Sequence, residues 1–127
     1  MKCLIVEDNY PIRMEYSHAM KSLGFTCLEV DSIKDAAYFL KTHDFNVILL
    51  DLQVRDGLSL PLADYLHVIG SKATVILITG TGAFPRGEST KMSPRIDYVL
   101  RKPVNLDDLS ALVEYSMEGS RGARRCQ

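Results

Sequence analysis

The run Val47-Ile48-Leu49-Leu50 contains no polar residue and ends directly in Asp51. A strand open on one side alternates apolar and polar side chains, so an uninterrupted apolar strand has to be covered on both faces, which is the condition of a parallel sheet between two helical layers. A second such run, Cys3-Leu4-Ile5-Val6, ends in Glu7-Asp8, and a third, Tyr98-Val99-Leu100, ends in Arg101-Lys102-Pro103. Buried strands therefore deliver three acids and a lysine to one edge, the makings of a divalent-cation and phosphoryl site.

Helical spacing fills the intervals. After a strand over 2–7, Asn9 caps a helix entered through Pro11, with Ile12, Tyr16, Ala19, Met20 and Leu23 on one face and Gly24 as its stop. Thr26 to Val30 reads as a second strand, and Ser32 caps a helix that turns Ile33, Ala36, Ala37 and Leu40 inward. Pro61 opens a third helix closed by Gly70, Thr74 to Ile78 forms a fourth buried strand, and Asn105 caps a last helix bearing Leu106, Leu109, Leu112 and Val113. Between Thr79 and Asp97, Gly80, Gly82, Pro85, Gly87 and Pro94 leave room for at most a short helix around 86–92. The alternation predicts an α/β, flavodoxin-like, doubly wound (βα)5 fold with a five-stranded parallel sheet in the order 2-1-3-4-5. In that order the site crevice lies beyond the first and third strands, where Glu7-Asp8 and Asp51 face each other.

A chain of 127 residues is one domain, expected over 1–118, with 119–127 a short basic tail, disordered and carrying Arg121, Arg124 and Arg125. The net charge of -1 exerts no general pull on nucleic acid or an anionic membrane, and the few tail arginines argue only for weak, salt-sensitive contacts. No apolar run approaches the ~20 residues of a spanning helix. Three cysteines without a CxxC spacing suit reduced thiols in a cytoplasmic setting. His18, His43 and His67 have no metal-ligand spacing.

Carboxylates gathered this closely need a cation among them, and Mg²⁺ (or Mn²⁺) suits a few acids plus phosphoryl oxygens. The expected protein ligands are Asp8, Asp51 and the backbone carbonyl of Gln53, with Glu7 acting through water. Asp51 is then able to attack phosphorus and hold an aspartyl phosphate while Lys102 neutralises the transferring group. Thr79, at the end of the fourth strand, offers a hydroxyl to a phosphoryl oxygen, and Pro103 fixes the backbone that follows Lys102. Taken singly, each residue has a plainer reading as a solvated turn acid, a capping hydroxyl or a surface lysine. Their joint placement at successive strand ends carries the signal.

The segments Leu4-Ile5-Val6-Glu7-Asp8-Asn9, Val47-Ile48-Leu49-Leu50-Asp51-Leu52, Val75-Ile76-Leu77-Ile78-Thr79-Gly80 and Leu100-Arg101-Lys102-Pro103 resemble a receiver domain of bacterial two-component response regulators over residues 2–116. The resemblance implies that Asp51 is the phosphoacceptor, that a histidine kinase or histidine phosphotransfer protein is the donor, and that Thr79, Gly80 and Lys102 surround the phosphoryl group. It also makes the bond before Pro103 a cis-peptide candidate. It implies a domain that catalyses only its own phosphorylation and dephosphorylation and acts on an unidentified output protein. The short tail after Gly119 reads as that of a stand-alone receiver, a monomer or weak dimer, with a piece of a longer regulator as the alternative. Because Thr79 and Lys102 respond to a phosphoryl group by moving toward it, the loop 80–95 is the expected switching element.

The chain departs from the family in three places, one of them the proline- and glycine-rich stretch after Thr79, which weakens a helix that many receivers use in their output face. Arg55 stands where receivers commonly have proline, in a loop of different shape ending Asp56-Gly57-Leu58-Ser59-Leu60-Pro61. Val99 occupies the place of the usual switch aromatic; Tyr98, one residue earlier, faces the opposite way along a strand and reads as a packing residue. Two other functions remain open on sequence. One is an interaction module that does not use phosphorylation. The other is a phosphatase of the haloacid dehalogenase class, which places an acid two residues after its nucleophile, where this chain has Gln53.

Overall fold

The computed structural model describes residues 1–80 and 94–125, with side chains through residue 118. In chain order the described elements are β1 (Lys2–Val6), α1 (Tyr10–Ser22), β2 (Thr26–Val30), α2 (Ile33–Thr42), β3 (Val47–Asp51), β4 (Gln53–Val54), β5 (Gly57–Leu58), α3 (Leu60–Val68), β6 (Thr74–Thr79), β7 (Tyr98–Arg101) and α4 (Leu106–Arg125). The main sheet is parallel throughout and ordered β2-β1-β3-β6-β7. With the small β4–β5 hairpin set aside, that is the flavodoxin-like 2-1-3-4-5 order of the sequence reading. No described helix is long and apolar enough to cross a membrane.

Strand alternation divides the core into two layers. Leu4, Val6, Ile48, Leu50, Val75 and Leu77 pack with Ala36 and Leu40 of α2 and with Leu62, Ala63 and Leu66 of α3. Cys3, Ile5, Val47, Leu49, Ile76 and Ile78 turn the other way, onto Tyr16 and Met20 of α1 and Leu109, Val113 and Met117 of α4. Burying one Leu or Ile side chain stabilises by roughly 1.5–3 kcal/mol, so two such layers fix the register of every central strand. Register in turn fixes which strand-end residues meet.

The helix starts follow the capping chemistry in the sequence. The side chain of Asn9 accepts from Ile12 N at 3.0 Å, that of Ser32 from Asp35 N at 3.1 Å, and that of Asn105 from Asp108 N at 3.0 Å. Gly24 ends α1 in a positive-φ conformation (φ 93), one that side chains other than glycine's adopt at a cost.

Two features differ from the sequence reading. The segment after Asp51 is a small antiparallel hairpin, with Gln53 opposite Leu58 and Val54 opposite Gly57; strands of two residues are too short to leave a periodic pattern. The last helix continues in helical backbone through Arg125, past Gly119, where the sequence reading began its disordered tail. Gly119 and Gly122 each cost the helix only about 1 kcal/mol, so neither by itself stops it. The short helix expected around 86–92 and most of the switching loop 80–95 lie outside the described residues.

Candidate functional site

The same alternation that builds the core aims the site. Glu7 follows Cys3 and Ile5 on the α1/α4 side of β1, and Asp51 follows Val47 and Leu49 on that side of β3. Tyr98 and Leu100 pack on that side of β7, so Lys102, two residues on, continues the series. Asp8 and Thr79 carry the opposite parity, that of Val6 and Leu77. The crevice at the carboxyl edge is thus supplied from both faces of the sheet.

Lys102 joins the two buried acids. Its Nζ lies 2.9 Å from Glu7 Oε1 and 3.0 Å from Asp51 Oδ2. Glu7 is 0% and Asp51 5% exposed, so both carboxylates depend on this ammonium for countercharge. Burial alone would lower the Lys102 pKa, but the close pairing with the Glu7 and Asp51 carboxylates outweighs it and holds the ammonium above its ordinary value. Buried Tyr16, on the same side of the sheet, has its phenol pushed up to about 12, chiefly by burial and then by the charge of Glu7.

Glu7, Asp8 and Asp51 each offer a carboxylate oxygen, all within 4.8 Å of one another. That is the donor set of a hard divalent cation. Glu7 Oε1 supports the fit: it is buried and ion-paired with Lys102, yet accepts no well-directed hydrogen bond, so it keeps acceptor capacity for a metal-bound water. Glu7 Oε2 accepts from Asn9 N at 3.2 Å, and Asp51 Oδ1 accepts from Gln53 N at a loose 3.4 Å. Gln53 exposes its side chain, so its backbone is the part that lies beside Asp51.

The other candidates are placed as follows. Thr79 is buried at the end of β6, and its carbonyl accepts from Lys102 N at 2.8 Å, tying the two strand ends together. Gly80 is exposed beside it, with open space where a side chain would stand. The Lys102-Pro103 peptide bond is cis. Tyr98 is half-buried against the α1/α4 core, whereas Val99 is 38% exposed and faces away from that layer.

Two residues near the site escaped the sequence reading. Arg13 donates from Nη1 to the Glu7 carbonyl at 2.8 Å while its Nε lies 3.6 Å from Glu29 Oε1, so it ties α1 to the end of β1. Its only sequence signal is a place in the first turns of a helix that follows the acids. Asp56, in the β4–β5 turn, accepts at Oδ1 from Ile33 N (2.7 Å) and at Oδ2 from Lys34 N (3.1 Å), the first amides of α2. Beside it, Arg55 Nη2 pairs with Asp31 Oδ2 at 2.9 Å. Where many receivers have proline, this chain thus has a polar bridge to the neighbouring helix.

The Ile33 amide bond, with that of Lys34, holds the Asp56 carboxyl below the ordinary aspartate value. A depressed carboxylate pKa stabilises the fold above the unfolded value, about 3.9, and that stabilisation is lost as pH falls through the folded value. Thermal melts between roughly pH 5 and pH 3 should therefore fall less steeply for Asp56→Asn than for the unmodified chain. An unchanged slope would mean that the bridge does not form in solution.

Comparison with known proteins agrees with this geometry. The family model described as response regulator receiver domain matches residues 3–114. The cell cycle transcriptional regulator CtrA of Caulobacter vibrioides is 24% identical over 122 residues, 96% of this chain and 52% of that protein. The response regulator protein PilR of Pseudomonas aeruginosa is 28% identical over 112 residues, 88% of this chain and 25% of that protein. The chain therefore spans about half the length of the first of these curated relatives and a quarter of the second. Among solved structures, the signal receiver domain of a putative LuxO repressor protein from Vibrio parahaemolyticus matches with TM-score 0.84 at 21% identity, covering 99% of this chain and 96% of that one. The response regulator protein TrrA from Thermotoga maritima, in complex with Mg(2+)-BeF, matches with TM-score 0.77 at 21% identity, covering 90% and 96%. At such identities the structures speak for the fold, and the family model speaks for the lineage: the chain belongs to the receiver domains of two-component response regulators.

Proposed function

We propose that this receiver accepts a phosphoryl group on Asp51 from a histidine kinase or histidine phosphotransfer protein and passes the change to an output protein or domain. The observation that carries the reading is a buried aspartate, Asp51, ion-paired to Lys102 at 3.0 Å and grouped with Glu7 and Asp8 at the carboxyl edge of a parallel sheet. In this reading an Asp51 carboxylate oxygen forms the new bond to phosphorus as the phosphorus–nitrogen bond of the donor phosphohistidine breaks and the imidazole leaves. Lys102 turns from the acids to the transferred oxygens, and the Thr79 hydroxyl donates to one of them. Asp8, Asp51 and the Gln53 carbonyl, with Glu7 acting through water, would hold a divalent cation, Mg²⁺ or Mn²⁺, which would add to the neutralisation of phosphoryl charge.

The phosphatase alternative lacks its second acid, since Gln53 is an amide with an exposed side chain. The reading is tested by intact-mass spectrometry of the chain after incubation with Mg²⁺ and a small-molecule phosphodonor. One phosphoryl group per chain, mapped to the peptide that contains Asp51, is the expected result. Metal binding with no adduct from either a small donor or a phosphorylated phosphotransfer protein would leave a receiver fold that works by contact alone.

A further inference from the structure

The β4–β5 hairpin follows Asp51 directly, and little that is local holds its turn end, residues 55–57. It has two rungs, Gln53 opposite Leu58 and Val54 opposite Gly57, and hairpins of this size are marginal without outside support. The contact from Gln53 N to Asp51 Oδ1 is long, at 3.4 Å. Buried Val54 anchors one strand. At the base of the hairpin Ser59 N donates to the Leu52 carbonyl at 2.9 Å, and Leu52 N donates to the Ile78 carbonyl at 2.8 Å; at its turn it is attached to the β2–α2 junction, Arg55 to Asp31 and Asp56 to two amides of α2. The Arg55 pair is solvent-exposed and contributes little. The Asp56 bonds are charge-assisted, and they satisfy amides that no residue of the helix itself can satisfy.

We propose that Asp56 is a positioning residue for the acid site: by fastening the hairpin to the first turn of α2, it holds the Gln53 backbone where its carbonyl completes a divalent-cation site with Asp8 and Asp51. This rests on the metal reading above. Gly57 fits the same role. Its φ of +138 is one that other residues rarely adopt, and a Cβ there would meet Ile33 Cδ1 at 3.6 Å, so the turn is pressed against α2.

The structure contains its own control. Ser32 caps the same helix through Asp35 N at 3.1 Å and, among the described residues, its side chain makes no hydrogen bond to the hairpin. Removing either cap weakens α2, but of the two only Asp56 belongs to the hairpin that carries Gln53. The experiment is calorimetric titration of the full chain with Mg²⁺ for the unmodified protein, Asp56→Ala, Asp56→Asn and Ser32→Ala, with melting temperatures recorded alongside. Amide exchange across 53–58 is measured without metal.

Asp56→Ala should weaken Mg²⁺ binding about tenfold, the low end for loss of a partner one step removed from a metal ligand. Asp56→Asn, which keeps one acceptor oxygen, should fall between. Ser32→Ala should lower the melting temperature and leave Mg²⁺ affinity unchanged. Exchange across 53–58 should quicken in Asp56→Ala and not in Ser32→Ala. Equal Mg²⁺ affinity in Asp56→Ala and the unmodified chain overturns the positioning role while leaving the metal site intact; so does an equal loss in Ser32→Ala. If Asp56→Ala fails to fold, the comparison of Asp56→Asn with Ser32→Ala decides in the same way. An unmodified chain that takes up no Mg²⁺ overturns the metal reading and this inference with it.

Discussion

Asp51→Asn should abolish the phosphoryl adduct completely and, in the absence of metal, make the protein slightly more stable. The first effect follows from chemistry: the amide is nearly the shape of the carboxylate but lacks the anionic oxygen that attacks phosphorus. The second follows from the charge count at the site. Carboxylate oxygens of Glu7, Asp8 and Asp51 lie within 4.8 Å of one another, and the two buried acids, Glu7 and Asp51, share one ammonium, Lys102. Neutralising Asp51 removes like-charge repulsion from a buried cluster, and Lys102 keeps its ion pair with Glu7 at 2.9 Å. A gain on the order of 1 kcal/mol, or about 4 °C in melting temperature, is expected in chelator. The melt in excess Mg²⁺ should reverse the ranking, since the variant loses a metal ligand and gains less from the ion. Intact-mass spectrometry and paired melts read all three outcomes. An adduct on Asp51→Asn would place the phosphoryl group elsewhere.

The sheet and the charged ends of its strands were legible in sequence because both are local. An unbroken apolar run such as Val47 to Leu50 states that its strand is covered on two sides, and the residue that follows has to emerge at an edge. Period-two alternation also decides which face of the sheet each strand-end residue takes. Cys3, Ile5 and Glu7 share a face, as do Val47, Leu49 and Asp51, so the meeting of Glu7 and Asp51 on one side of the sheet is a matter of counting. The same parity separates Tyr98 from Val99 and accounts for Tyr98 as packing in the α1/α4 core.

What sequence did not disclose is non-local or too short to have a period. The bonds from Ile33 and Lys34 to Asp56 span 23 and 22 residues, and nothing in an Asp-Gly turn says which helix it will cap. The Arg13 contact with the Glu7 carbonyl depends on where α1 lands on β1. Both are consequences of packing, available only once the layers are assembled.

Lys102→Met should act in the opposite direction to Asp51→Asn on stability and in the same direction on chemistry. Methionine keeps most of the apolar stem and removes the charge. Glu7 and Asp51 are then buried without a counterion, and removing one partner of a buried pair costs about 3–5 kcal/mol. Lys102 is partly open to water, its side chain 27% exposed, so the lower end, about 3 kcal/mol or roughly 10 °C in chelator, is expected. The Lys102 pKa is raised in the fold, so its stabilisation is fully present below the unfolded value of about 10.4 and lost only as pH rises through the folded one. The deficit of the variant should therefore persist up to roughly pH 9. Mg²⁺ should recover part of it by supplying the missing positive charge among the same acids. Phosphoryl uptake should still fall about 10²–10³-fold, because neutralisation of the transferring group is lost. A solvated surface lysine would give neither the melt deficit nor its rescue by metal. Opposite signs for two substitutions at atoms 3.0 Å apart are what a single ammonium serving an excess of buried carboxylates requires. In the double variant the two stability effects should not add, because each removes part of what the other unbalances.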